Sequence, residues 1–302
     1  MKNKILLLIV VVLSAIAISG SKKETTYFNN AKKEEVKEEI KLALKDTLTG
    51  EIKNIELEDY IVGVVAGEMP ASFNEEALKA QAIASRTYAM YKMKNSNGTY
   101  DLVTDKTNQV YITEDKMKKL WQENFDYYFE KIKKAVYDTK DLIMTCNGNV
   151  ILSMYFARSN GKTEDAILVF GSNEEYLKSV ESPEESLTSE VTISKDEFCN
   201  KLNISCDAIN ISNVLKSSSG RINSLNINGK TFKGTEIRTL FDLKSTDFDI
   251  SIGSEIKFVT KGYGHGVGMS QYGANKLAQN GKNYEEILKH YYQNINIEKI
   301  SV

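Results

Sequence analysis

The sequence predicts an α+β fold: one large mixed domain with two lobes around a groove over residues 40–302, preceded by an N-terminal membrane anchor. Three observations lead there. Short stretches of period-two alternation are scattered from residue 40 to residue 259, with helical-period segments among them rather than in βαβ alternation. The glycines at 262, 264, 266 and 268 stand at every second position, which is not the GxGxxG spacing of a dinucleotide fold. An almost unbroken apolar run sets the N-terminus apart, and the roughly 260 residues after it suffice for one large domain or two lobes.

The formal net charge is −2 with 26% charged residues, so the chain has neither the basic stripe of a nucleic-acid binder nor an acidic tail. Two prolines and 18 glycines exclude a collagen-like or linker-rich chain, and no internal repeat is visible. Cys146, Cys199 and Cys206 make an odd set; the last two could bridge and leave Cys146 as a small buried hydrophobe. With no CxxC or HxxxH pair, no metal and no cofactor are expected.

In chain order, residues 1–4 read as a cytoplasmic N-terminus and residues 5–20 as a transmembrane anchor. The run is a little short of the ~20 residues of a comfortable span. A cleavable signal peptide would look similar, with Ala15-Ile16-Ala17 as its small-residue site; no Cys follows, which excludes a lipoprotein. Residues 21–39 are polar with mixed charge, too poor in apolar anchors to fold alone, and read as a tether. Ile40, Leu42 and Leu44 alternate up to Gly50, and Ile52, Ile55 and Leu57 return as a hairpin.

Residues 60–90 (YIVGVVAGEMPASFNEEALKAQAIASRTYAM) hold two apolar-periodic helices with an acid in the break. Glu58 and Asp59 suit the first turn of the first helix, Pro70 forces its end, and Asn74 caps the second. Glu68 falls at the helix end among apolar residues, where partial desolvation would raise its pKa and keep it protonated, as a general acid requires. The alternative is a helix-end Glu turned to water.

Residues 101–104 form a short strand, and residues 114–138 carry one helical apolar stripe that includes Trp121 as a core residue. Residues 141–156 read as a hairpin about Asn147-Gly148. A turn-rich loop with Ser159, Gly161, Thr163 and Glu164 follows, then a strand over 176–180 and an acidic, solvated loop over 181–189. Next come a helix over 192–202, a bridging stretch over 204–214, a hairpin about Asn228-Gly229, a helix over 235–241 and a strand pair over 247–259. In GYGHGVGMSQYGANKLAQNG, alternate glycines clear one face for close approach of a ligand, and a helix begins near Tyr272. His265, in that glycine context, would hydrogen-bond a catalytic carboxyl or a sugar; His290, on the last helix, reads as structural.

Residues 64–90 and 262–292, two long motifs in order at opposite ends of the chain, resemble those of the stage II sporulation protein D family, lytic transglycosylases of spore-forming Firmicutes. The resemblance spans residues 40–295 and places the catalytic Glu at Glu68. It implies an uncleaved single-pass anchor, with the catalytic domain outside the mother-cell membrane and facing the forespore intermembrane space. The implied substrate is peptidoglycan glycan stripped of stem peptides by an amidase; stage II sporulation proteins P (the amidase) and M (a membrane scaffold) are the implied partners. Asn108-Gln109-Val110-Tyr111 is similar to a family segment whose Gln and Tyr line the glycan groove, so Gln109 and Tyr111 join His265, Ser270, Gln271, Ser159 and Thr163 as substrate-binding candidates. Gln81, Arg86, Gly266 and Gly268 are supporting candidates, the first two as holders of Glu68. The chain departs from the family at Ala157-Arg158, where relatives often have His-Ser, at Asn160-Gly161, where they have a double glycine, and at Glu175, where Pro is common.

An ordinary glycosidase needs two carboxylates roughly 5–9.5 Å apart. Only one acid is marked here, which suits a transglycosylase: the acid protonates the glycosidic oxygen, then takes the proton of the muramic acid C6 hydroxyl as a 1,6-anhydro ring closes. The rival expectation is a non-catalytic, glycan-binding amidase-enhancer module, in which Glu68 is structural.

Overall fold

The computed structural model describes residues 39–300; the expected N-terminal segment, anchor and nearly all of the tether lie outside them. Among the described residues no helix is long and apolar enough to cross a membrane.

The hairpin entry forms as β1 (Lys41–Lys45) and β2 (Ile52–Glu56), in antiparallel register with Lys41 opposite Glu56. Then come α1 (Leu57–Glu68) and α2 (Glu75–Lys94), which are almost entirely buried along their contact. Met69, before Pro70, is extended at φ −120° and ends α1; the Asn74 side chain accepts the Glu76 amide at 3.0 Å and starts α2. The return strand β3 (Leu102–Val103) lies parallel to β1.

The expected single helix over 114–138 is two: α3 (Glu114–Trp121) and α4 (Phe125–Asp138), parted by a 3-10 turn. Gln122 takes a left-handed conformation at φ 48°, which breaks the α run. Trp121 packs, half-buried, on Phe125 and Tyr128. β4 (Leu142–Cys146) and β5 (Asn149–Val150) close over Asn147 and Gly148, both left-handed as a primed turn demands. β6 (Tyr155–Phe156) and α5 (Ala166–Phe170) follow.

Residues 176–180 are irregular rather than a strand, since their backbone is satisfied by Thr163 and Asp165 instead of a ladder. The segment expected as a helix over 192–202 begins as a strand: β7 (Thr188–Ser194) pairs along its whole length, and only then does α6 (Lys195–Leu202) start, capped by Ser194. β8 (Ile211–Lys216), β9 (Ile222–Ile227) and β10 (Lys230–Lys233) make one sheet and lead into α7 (Gly234–Leu240). β11 (Phe248–Ile252) and β12 (Glu255–Lys261) join β7 in another. The chain closes with β13 (Met269–Ser270), α8 (Gln271–Gln279), α9 (Tyr284–Tyr291) and β14 (Asn296–Lys299), which pairs with β4.

The architecture is therefore a mixture of small sheets and helices, with two hydrophobic cores. The larger gathers α1, α2, α4, α8 and α9 and takes its residues from both ends of the described chain; the smaller, rich in phenylalanine, draws only on residues 198–258. The second core is thus an insertion within the first. Cys199 and Cys206 are bridged beside it, and Cys146 is free and buried. No group of side chains suited to a metal ion occurs among the described residues.

Candidate active site

Glu68 is the last residue of α1, and what surrounds it follows from two glycines one turn apart on that helix. A Cβ on Gly63 would stand 2.2 Å from the Tyr111 ring, and one on Gly67 would stand 2.4 Å from the Val110 carbonyl oxygen. Only glycine lets residues 110–112 lie against α1 so closely. That approach brings the Val110 amide to Glu68 Oε1 at 2.7 Å, while Gln271 Nε2 reaches Oε2 at 3.4 Å. Burial raises the Glu68 pKa; hydrogen bonds from Val110, Gln271 and Tyr155 pull it down without prevailing.

The carboxyl opens on a cleft of about 330 Å³. Tyr88 and Tyr155 line it from the larger core, with His265 and Tyr263 of the second motif beside them; Lys106 stands at its rim, and Arg238 reaches in from α7. Glu68 is the only carboxyl among the lining residues. Tyr263 exposes 45% of its surface, an aromatic face of the kind that sugars stack upon.

The second motif reaches this place by pairing with the strand that carries Tyr155. β13 runs parallel to β6, Tyr263 bridges to Arg158, and Val267 bridges to Glu164. The alternate glycines Gly262, Gly264, Gly266 and Gly268 are left-handed, with φ between 75° and 119°, and they admit close approach of the chain itself, while Gly264 also lines the cleft. A Cβ on Gly264 would meet Phe156 at 2.7 Å, on Gly266 the Arg221 guanidinium at 2.6 Å, and on Gly268 the Met154 carbonyl oxygen at 1.9 Å. Gly266 and Gly268 are thus packing residues, and of the alternate glycines Gly264 is the one at the cleft.

His265 lines the cleft but both ring nitrogens are engaged by backbone. Val267 N–H donates to Nδ1 at 3.1 Å, which leaves the proton on Nε2 to be donated to the Tyr155 carbonyl at 3.0 Å. Burial, with Arg238 and Arg221 nearby, pushes its pKa down to about 4, so the ring is neutral. It fixes the strand bearing Tyr155 and makes no hydrogen bond to Glu68.

Gln109 is buried. Its amide takes the Tyr60 hydroxyl at 3.1 Å and donates to Tyr155 Oη at 2.8 Å, so it orients the phenol beside Glu68 instead of lining the cleft. Tyr111 stacks on Tyr60 with ring centres 5.6 Å apart and lines a separate cavity with Asp59 and Gly63. Gln81 donates to Ser85 Oγ at 3.0 Å and accepts from Gln271 at 3.4 Å, so it reaches Glu68 only through Gln271. Arg86 does not. It is fully buried and forks onto Glu58, 2.8 and 2.6 Å, with the carbonyls of Leu142 and Val136 at 3.1 Å each. Arg86 therefore ties the start of α1 to α2, ten residues from the acid.

Ser159, Ser270 and Thr163 are likewise buried away from the cleft. The first two converge on Glu184: the Ser159 amide donates to Oε1 at 2.7 Å, the Ser270 hydroxyl donates to the same oxygen, and Ser182 Oγ donates to Oε2 at 2.6 Å. Burial alone would raise the Glu184 pKa, but these donors outweigh it and hold the carboxylate below its ordinary range. The loop over 181–189, expected to be solvated, thus carries a buried anion. Thr163 accepts the Val180 amide at 2.8 Å and pins the irregular stretch before that loop. Tyr155, Arg238 and Lys106 lie in no signalling spacing, and Tyr263, though inside the glycine motif, was not singled out; the pairing of β6 with β13 and the placement of α7 bring them together.

Fold and site together define an α+β protein with one buried acid, raised in pKa, in a cleft flanked by tyrosines and cations. The chain belongs to the stage II sporulation protein D family. Residues 45–146 match the family model described as stage II sporulation protein. The chain is 39% identical over 265 residues to stage II sporulation protein D of Bacillus subtilis (strain 168), covering 84% of this chain and 77% of that protein. Against the Bacillus amyloliquefaciens protein of the same name it is 39% identical over 260 residues, covering 82% and 76%. It is also 30% identical over 294 residues to an amidase enhancer of Bacillus subtilis, covering 76% of this chain and 39% of that protein.

Proposed function

We propose that this chain is a peptidoglycan lytic transglycosylase acting on peptide-stripped glycan strands through Glu68. The observation that carries the reading is the cleft's single carboxyl, raised in pKa by burial. Val110 N–H and Gln271 Nε2 orient the two carboxyl oxygens, and the acid form of Glu68 donates its proton to the oxygen between N-acetylmuramic acid and N-acetylglucosamine. The resulting carboxylate takes the proton of the muramic acid C6 hydroxyl, which closes on C1 to give a 1,6-anhydro ring. No second carboxylate is required because the nucleophile is tethered in the substrate. The setting we propose is forespore engulfment, from the mother-cell membrane, beside the amidase stage II sporulation protein P and the scaffold protein M; similarity to sporulation protein D supports it.

Similarity to the amidase enhancer supports a second reading, a glycan-binding module that raises a partner's activity. Digestion of peptide-free strands by the full chain and by Glu68→Gln, with product ends read by mass spectrometry, separates them. Anhydro-muramic ends from the parent alone are expected. Reducing ends would mean hydrolysis by water, and binding without cleavage would favour the enhancer.

A further inference from the structure

Arg238 stands in the last turn of α7, on the second core, yet lines the same cleft as Glu68. Its Nε donates to the Leu243 carbonyl at 3.3 Å, which pins the stem, and its two terminal nitrogens have no hydrogen-bond partner among the described residues. Asp242 and Tyr263 favour its charge only through the field, against a larger effect of burial. A half-buried guanidinium with its fork unspent is matched to a planar anion held by two parallel hydrogen bonds. Little competes for it: the one carboxyl among the lining residues is Glu68, whose two oxygens accept from the Val110 amide and Gln271 Nε2. Lys106, exposed on the rim, adds a second positive charge.

We propose that Arg238 is a specificity-determining residue that receives a free carboxylate on the sugar beside the bond to be cleaved. The proposal rests on the glycan reading above. The lactyl ether of muramic acid carries such a carboxylate once its peptide is gone. With the peptide attached the group is an amide, uncharged, bulkier and unable to accept the fork on two oxygens. Preference for stripped strands then becomes a property of one side chain.

The test measures binding rather than cleavage. Calorimetry in the Glu68→Gln background of the full chain compares strands bearing free lactyl carboxylates with the same strands converted to methylamides. The Arg238-intact protein is expected to prefer the free form by about tenfold, the scale of a charge-assisted pair at a partly exposed site. Adding Arg238→Gln should abolish the preference and leave methylamide binding unchanged; Arg238→Lys should restore part of it. A preference that survives Arg238→Gln overturns the proposal, as does equal loss of affinity for both strands. If the Arg238-intact protein binds neither strand, the glycan reading falls with it, an outcome distinct from lost preference alone.

Discussion

The Val110 amide and the Glu68 carboxyl are 2.7 Å apart at Oε1 because the helix end between them is stripped to glycine at Gly67. The contact spends one oxygen of the acid and one backbone donor that would otherwise be buried unpaired. With Gln271 Nε2 donating to Oε2 at 3.4 Å, it also fixes the carboxyl's orientation. Helix packing and site chemistry here depend on the same missing methyl.

Gly67→Ala is accordingly expected to do more than an ordinary helical substitution, which would gain helix propensity. The new Cβ meets a backbone carbonyl at 2.4 Å, and residues 108–112 must move away. A loss of about 1–3 kcal/mol in urea unfolding is expected, together with a fall in strand cleavage larger than the stability loss explains. An unchanged cleavage rate would mean that the Val110 contact does not orient the acid.

Glu184→Gln is expected to destabilise by about 1–3 kcal/mol at neutral pH, since Ser182, Ser270 and the Ser159 amide then face a neutral group. The lowered pKa sets the sign: this stability is complete above the ordinary 4.5 and is lost as pH falls through the folded value. Urea midpoints of parent and variant should therefore keep their gap above the ordinary 4.5 and converge on acidification below it. A gap constant with pH would contradict the charged network.

How much of this was readable beforehand divides along local and non-local lines. Pro70, Asn74 and Asn147-Gly148 declare their turns and caps through their own backbone chemistry, and the structure has them there. Glu68 was marked by its local setting, and its burial agrees. The strand at Thr188–Ser194 was missed because its partner β12 lies some sixty residues on, and alternation in TSEVTIS is masked by the polar residues of a half-exposed sheet. Arg86 was misassigned because proximity in sequence to Glu68 says nothing about which end of α1 it faces. Glu184 looked solvated in a run of acids and serines; only the return of Ser270 from 86 residues away buries it. Small sheets with long-range pairings leave few sequence-local traces.

Arg86 and Glu58 form a buried pair whose side chains are 0% and 7% exposed, so removing one partner strands a charge. Arg86→Met is expected to cost about 3–5 kcal/mol, and the Glu58→Met/Arg86→Met double variant distinctly less. A double-mutant cycle in urea checks this. Because Arg86 makes no contact with Glu68, the double variant should retain cleavage at temperatures where it is folded; specific loss of cleavage would put Arg86 back beside the acid.

The pH dependence of cleavage separates Glu68 from His265. The raised pKa of Glu68 keeps the acid form to pH values above the ordinary 4.5, and activity should fall as pH rises through the folded value. The same shift has a stability sign. Between the unfolded and folded values the native state holds the proton that the unfolded chain has released, so parental stability declines as pH rises through that window. Glu68→Gln should lack the decline and gain on the parent over the same interval, since Gln still offers Val110 an acceptor. His265, held neutral down to about 4, should contribute no limb near its ordinary 6.5. With only two histidines in the chain, its ring resonance is assignable by His265→Asn and should stay flat from about pH 8 to about pH 5. A titration of that resonance with a midpoint near the ordinary histidine value, matched by a limb in the rate profile, would transfer the acid–base role from Glu68 to the histidine.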